Sequence, residues 1–385
     1  MIYLDHLTTT RPLPEVVDAM QPWLREQFGA PAALHRPGLE ARDAIDEARA
    51  HLAKLVNAAE PGEMLFTSNG TEAINHAVKG AALAKRRFGS HIVTTPIEHP
   101  AVLGSIAWLE SQGFSSTQVG VDGEGRIDPA ALREAMTEET VLVCLHHASH
   151  DLGTIQPVAE MAELTGARGI PLFVDATASG GWLPVDVGQL GADLIALSPH
   201  RFGGPKGAGV LYRKSRVGVE NLIHGGMQEN EHRAGTENVA AIVGAGVAAK
   251  QAGAALGQAA ANAAKLQVRL LDGIRRTVDG VHMNGPEPGD GRLPHQLSLS
   301  TEGVEGEGQA LMLDLRGVAI AAGAACTTRS MRLPPALRAI GRDVDLAKGT
   351  TLWGIGRDTT EAEIDRAVEA FAAVTAKLRA LSPTE

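Results

Sequence analysis

Between about residue 40 and residue 220, short apolar runs alternate with stretches of helical spacing, and this alternation limits the fold more than any other feature. The runs are Met64–Thr67, His91–Thr95, Thr140–His146, Pro171–Val174, Leu194–Leu197 and Gly209–Tyr212. Glu40–Val56 and Pro129–Met136 have helical spacing around them. Strands that alternate with helices imply a mostly parallel sheet covered on both faces, hence an α/β class. Ligands on such sheets sit beyond the carboxyl ends of the strands. His99, His150, Asp175 and Arg201 each follow a strand-like run and are expected to converge there.

Beyond this region, Asn238–Ile274 is Ala-rich and free of proline, and predicts a long helix bridging to a second domain. That part mixes strand-like runs (Gln296–Ser300, Val318–Ala321) with helical ones (Gly308–Leu315, Glu361–Leu381), an α+β pattern. At 385 residues there is room for one large core and a smaller appended one. Aromatic residues are only 3%, so the core must be built from Ala, Val, Leu and Ile. A net charge of −10 without any basic run argues against nucleic acid as a partner. Met1 leads straight into strand-like I-Y-L-D, so no secretory leader is expected. No apolar run looks long enough to span a bilayer. Two cysteines, Cys144 and Cys326, do not suggest a disulfide framework. A cytoplasmic protein without a membrane partner is the expectation.

The stretch D-L-I-A-L-S-P-H-R-F-G-G-P-K-G, residues 193–207, is a buried strand, a polar turn and a Gly-rich loop. It resembles the cofactor-lysine segment of the cysteine desulfurases, in the class V aminotransferase group of pyridoxal phosphate (PLP) enzymes. Ser198, His200 and the Gly204–Gly207 loop match, but Arg201 stands at the Schiff-base lysine position. A Schiff base needs an amine that can lose its proton, and a guanidinium, with a pKa above ~12, does not. Other segments match in order: Tyr3–Thr10, Phe66–Asn75, Ile97–Val102, Phe173–Ser179, His224–Thr236 and Ala321–Thr328. The resemblance implies a PLP-dependent transferase of fold type I. Its expected parts are an N-terminal segment (1–15) packing with the small domain, a large cofactor-type domain (16–258), and a small C-terminal domain (259–385) carrying the Cys326 loop.

The resemblance also implies roles for single residues. Gly70 and Thr71 open a helix whose N-terminal amides suit a phosphate, although Thr71 could be a plain N-cap. Asp175 matches the aspartate that pairs with the pyridine nitrogen. It could also cap the next turn, or pair with Arg201 if PLP is absent. His99 matches the histidine that stacks on the PLP ring, or it caps the helix opened by Pro100. His150 stands where the family has asparagine near the phenolate oxygen, and Ala178 where it has glutamine. Ser198 and His200 complete the cofactor set, and Thr236 matches the threonine sent into the neighbouring subunit's phosphate site. Leu352 replaces the arginine that clamps the substrate carboxylate, which an apolar side chain cannot do, and Arg357 matches the second arginine of that stretch. Cys326 holds the persulfide position, and Cys144 reads as core. Lys206 matches a lysine that the family does not use for the imine. His146, His147 and His150 are dense, but adjacent strand residues point to opposite faces and no ligand set completes a metal site.

With both the imine-forming amine and the carboxylate clamp replaced, the expectation is a cysteine desulfurase-like protein that has lost ordinary PLP–lysine chemistry. Its role would be binding, regulatory or scaffolding in sulfur or Fe–S metabolism. It would act as a homodimer, or as a heterodimer with an active paralogue, and meet a sulfur-acceptor or Fe–S assembly protein. The alternative is an active enzyme that holds PLP or another anionic ligand noncovalently. There Cys326 would accept sulfur, and His99 or His150 would handle protons.

Overall fold

The computed structural model describes residues 1–323 and 333–381. Through the first two thirds the chain runs β1 (Ile2–Tyr3), α1 (Pro14–Arg25), α2 (Arg36–Val56), β2 (Met64–Thr67), α3 (Gly70–Ala84), β3 (His91–Thr94), α4 (Pro100–Ser111), β4 (Ser115–Gln118), α5 (Pro129–Ala135), β5 (Thr140–His146), α6 (Val158–Gly166), β6 (Leu172–Asp175), α7 (Val187–Leu190), β7 (Leu194–Leu197) and β8 (Gly209–Arg213). It continues with α8 (Val239–Thr277), β9 (Val281–Met283), β10 (Gln296–Thr301), α9 (Gly306–Asp314), β11 (Val318–Ala319), β12 (Ala321–Ala322), α10 (Pro335–Ala339), α11 (Val344–Lys348), β13 (Thr350–Gly354) and α12 (Glu361–Leu381).

Seven of these strands form one sheet in the order β2-β8-β7-β6-β5-β3-β4. All neighbours pair parallel except β8, which lies antiparallel between β7 and β2. Buried residues on β3, β5, β6 and β7 include nearly unbroken aliphatic runs, as a sheet with two covered faces requires. One core lies on each face: one joins Val143, Leu145 and Val174 to α2 and α8, and the other joins Ile92, Leu142 and Phe173 to α3 and α4.

The smaller unit is an antiparallel sheet, β12-β13-β10-β9, covered by α9, α12 and the C-terminal half of α8. Its core spans Ala259 to Val374 and takes in Ile2 and Leu4 from the N-terminus. There β1 pairs parallel with β11, and Asp5 bridges to Gly354. The helix α8 belongs to both cores, contributing Ala252 to the large one and Ala259 to the small one. Its small residues permit close packing: a Cβ at Gly246 would stand 2.5 Å from the Ala48 Cα of α2. By length and composition α8 could cross a bilayer, which a search for large aliphatic runs misses because its apolarity comes from Ala and Gly. Half of its apolar stretch is buried inside the protein.

Candidate functional site

The carboxyl ends of β5, β6 and β7 and the turn after β3 open onto a cavity of about 520 Å³, closed on its far side by β12, β13 and α10. His99, His150, Asp175 and Arg201 all line it, and so do Glu98, His146 and Asp151. The small unit adds Ala321, Ala322, Pro334, Pro335 and Leu352, an apolar wall opposite the charged one.

His99 is the N-cap of α4, with its Nδ1 accepting from the Ala101 amide at 3.1 Å. The capping ring still forms part of the cavity wall, so the two roles considered for it are compatible. Burial pushes its pKa below the ordinary histidine value, against the attraction of Asp175. Asp175 ends β6 beside His146 of β5 and is almost fully buried. One of its oxygens accepts from the Thr177 amide at 2.9 Å, so it also shapes the following turn. Arg201 closes the 3₁₀ turn Pro199–Arg201 after β7, and its carbonyl accepts from the Trp182 indole at 3.3 Å.

Gly70 and Ser198 lie next to this cavity, joined to it by Thr177. A Cβ on Gly70 would stand 3.1 Å from the Thr177 methyl and 3.2 Å from Ser198 Oγ, so a larger residue there would crowd both. Thr71 is not the N-cap. Asn69 is, with its side chain accepting from the Glu72 amide at 2.8 Å, and Thr71 is exposed in the first turn. Asparagine suits that position at least as well as threonine. His200 does not line the cavity. It lies 3.1 Å from Thr9 Oγ1, and its carbonyl accepts from both the amide and the hydroxyl of Thr10, tying the N-terminal segment to β7. Burial, helped by Arg201, pushes its pKa down to about 4. Thr236 stands in a separate cleft with Ser68, Glu229 and Arg233, where Arg233 pairs with Glu72 at 2.8 Å. Cys326 lies outside the described residues.

The three neighbouring histidines have separate partners. His147 is 2.9 Å from Ser179 Oγ, and burial pushes it down to about 4. His150 is 3.0 Å from Asp151. His146 is 2.9 Å from Glu98 Oε1, which also accepts from Thr95 Oγ1 at 2.7 Å. Burial resists a proton on His146, while Glu98 draws one on and raises its pKa overall. Gln156 opposes Glu98. Its Oε1 accepts from the Ile127 amide and its Nε2 donates to the Gly125 carbonyl, so the amide cannot flip. That same Nε2 faces His146 Nε2 at 3.1 Å. His146 is thus held between Glu98 on its Nδ1 side and the Gln156 amide on its Nε2 side. Among the described residues no group of three His, Cys, Asp or Glu is placed to hold a metal ion.

Sequence reasoning missed Glu98, Gln156, Gln296 and Arg292. Gln296 donates to the carbonyls of His150 and Asp151 at 3.1 and 3.0 Å, and the buried Arg292 holds its Oε1 at 2.8 Å. This is how the small unit fixes the His150 loop. Glu98 alone carried a signal, as the polar neighbour of His99 after a strand.

A family model described as Aminotransferase class-V matches residues 2–367. A cysteine desulfurase IscS from Dictyoglomus turgidum is 39% identical over 382 residues, covering 99% of this chain and 96% of the relative. Another, from Vibrio cholerae, is 41% identical over 387 residues, covering 99% and 94%. The fold matches the solved structure of a NifS-like protein with a TM-score of 0.91 at 32% identity, over 98% of this chain and 99% of the other. It also matches the apo structure of a cysteine desulfurase from Thermococcus onnurineus at TM-score 0.85 and 25% identity, over 99% and 95%. The architecture is therefore that of PLP-dependent fold type I, as the motifs implied.

Proposed function

This chain belongs to the class-V aminotransferase family, among its cysteine desulfurases, and we propose that it has lost the family's lysine-dependent chemistry while keeping the cofactor cavity as a binding site. One observation carries this reading. The described wall of the cavity includes Arg201 and no lysine, and residues 324–332 contain no lysine in their sequence. The substrate side is altered too, since Leu352, buried on β13, faces the same cavity.

The residues present fit PLP in part. The N-terminus of α3 at Gly70, packed close to Thr177 and Ser198, suits its phosphate, His99 suits the ring face, and the buried Asp175 suits the ring nitrogen. When bound, PLP supplies an aldehyde and an electron-withdrawing ring. This chain offers the aldehyde no amine. PLP or a related anion would be held by hydrogen bonds and charge alone. His99, neutral at pH 7, and His150 are the groups left to move protons.

The proposed role is binding or regulatory, in sulfur or Fe–S metabolism in the cytoplasm. A homodimer is the proposed assembly. Thr236 lies outside the cavity of its own subunit, so in a dimer it is available to a neighbour's phosphate site. Phe28, Leu34 and Met227 are exposed apolar side chains such an interface would cover. A paralogue in place of the second copy would give an active site in trans, with a sulfur acceptor docking as in a working desulfurase.

The test is borohydride treatment after incubation with PLP, followed by mass spectrometry. No mass increase of the chain is expected, and no visible band of a protonated Schiff base. Covalent fixation at any residue would overturn the reading.

A further inference from the structure

One histidine–carboxylate pair on the cavity wall stands open to the cavity. His150 and Asp151 are neighbours on the loop after β5, both line the cavity, and their side chains are 27% and 40% exposed. His150 Nδ1 lies 3.0 Å from Asp151 Oδ1, its only side-chain hydrogen bond among the described residues. A carboxylate only accepts, so Nδ1 carries a proton and the neutral ring keeps its lone pair on Nε2. The backbone under the pair is clamped from the small unit. Gln296 donates to the carbonyls of both residues at 3.1 and 3.0 Å, and the Leu293 amide donates to the Gly153 carbonyl at 2.8 Å. Arg292, 2.8 Å from Gln296 Oε1, sets which way that side-chain amide faces. An imidazole oriented by a carboxylate through one nitrogen, with the other left as a base, is an arrangement suited to general-base catalysis.

Other charges gather around the same place. Those of Asp175, Arg201, His150 and Asp151 all act on the His99 ring, so these groups surround one part of the cavity. Arg201 gives that part a permanent cation, which favours an oxygen that turns negative there. Opposite lie Ala321, Ala322, Pro334, Pro335 and Leu352, a wall that suits an uncharged aliphatic group. Of the described hydroxyls lining the cavity, those of Ser149 and Thr177 are buried and that of Thr8 donates to Asp5 at 2.8 Å, which leaves water as the nucleophile.

We infer that this cavity hydrolyses an uncharged ester of a short aliphatic acid, with His150 as the base and Asp151 as the residue that positions it. His150 Nε2 takes a proton from water as the water oxygen bonds to the acyl carbon, and the carbonyl electron pair moves onto the carbonyl oxygen. That pair returns as the bond to the leaving oxygen breaks, and His150 gives its proton to the leaving oxygen. The products are the acid and the alcohol, and the base is restored. The reaction needs a cavity without a covalently held cofactor, so it rests on the loss of the lysine anchor proposed above.

The probe is 4-nitrophenyl butyrate, with release of 4-nitrophenolate followed by absorbance for the full-length protein, His150→Gln and Asp151→Asn. The wild type should show saturable turnover. His150→Gln should lower kcat at least ~100-fold, the low end of what general-base catalysis supplies. Asp151→Asn should lower kcat at least ~10-fold with KM unchanged within about two-fold, because it acts on the base and not on the ester. A urea midpoint equal to the wild type's separates these losses from unfolding. Wild-type turnover that does not saturate, or that His150→Gln matches, overturns the inference. So does an Asp151→Asn protein as fast as the wild type, or one impaired only in KM. Borohydride fixation of PLP is a separate outcome. It would sink the loss of covalent anchoring, whereas absent hydrolysis without fixation sinks only the ester reaction.

Discussion

Arg201 and Leu352 line the same cavity from opposite sides, one from the end of β7 and one from the middle of β13. Their effects can be separated by substitution. Arg201→Lys restores an amine at the end of β7 and should allow borohydride to fix PLP to the chain, read as a mass increase. Alanine release from L-cysteine should stay negligible in that single variant, because Leu352 leaves the substrate carboxylate without a guanidinium. A charge-assisted contact of that kind is worth roughly 2–5 kcal/mol, or at least tens-fold in kcat/KM. The double variant Arg201→Lys with Leu352→Arg should therefore exceed either single one. Equal turnover by the single Arg201→Lys protein and the double would show that Leu352 plays no part in substrate binding. Arg201 and Leu352 stood out in the sequence because each stands inside a motif of the resemblance. The Glu98–His146–Gln156 arrangement did not, since its three residues are 48 and 10 positions apart and only strand packing joins them.

Between elements, the most exacting contact ties α2 to the loop before α8. Arg49 makes a bidentate pair with the buried Glu229 at 2.8 Å and also donates to the Met64 carbonyl. Glu229 in turn accepts from the Phe66 amide of β2 at 2.8 Å. Glu229, Asn230 and Glu231 all have left-handed backbone, with φ of 49°, 53° and 68°. That conformation is unfavourable for residues with a Cβ and persists only where surroundings enforce it. Removing Arg49 leaves a buried carboxylate uncompensated. Arg49→Ala should cost about 3–5 kcal/mol in urea unfolding. It should also loosen the segment carrying Arg233 and Thr236, seen as faster amide exchange there. A loss under 1 kcal/mol would mean that the strained turn is held by other contacts.

For the molecule as a whole, buried neutral histidines set the acid limit. Burial pushes His147 and His76 down to about 4. In the unfolded chain they titrate near ~6.5. Between those values the unfolded chain binds protons that the folded chain refuses, so stability falls as pH drops through that window and is unaffected above it. Each group contributes at most about 3 kcal/mol. The urea midpoint should be flat from pH 8 to 7 and decline steadily from pH 6.5 to 4.5. An unchanged midpoint at pH 5 would mean that these rings gain water or a counter-charge. Assembly is the second property at this scale. Light scattering at low micromolar concentration should give twice the chain mass, with an interface above the ~1,600 Å² of a standard complex. A clean monomer, with no paralogue recovered alongside it, would remove the support for Thr236 acting in trans.

The sequence by itself determined the alternation of strands and helices, the parallel sheet, the long bridging helix and the edge where His99, His150, Asp175 and Arg201 meet. These depend on local periodicity and on the rule that ligands sit at strand carboxyl ends, both of which a linear pattern carries. It also placed Arg201 at the position that the resemblance gives to a lysine, between a strand and a Gly-rich loop. Tertiary structure alone decided that Asn69, and not Thr71, caps α3, and that His200 serves the N-terminal segment and not the cavity wall. It decided too that Gln296 and Arg292 hold the His150 loop from the other unit, and that Glu98 and Gln156 flank His146. Each of these is a hydrogen bond whose partner is chosen by where the folded chain returns, and spacing along the sequence contains no record of that return.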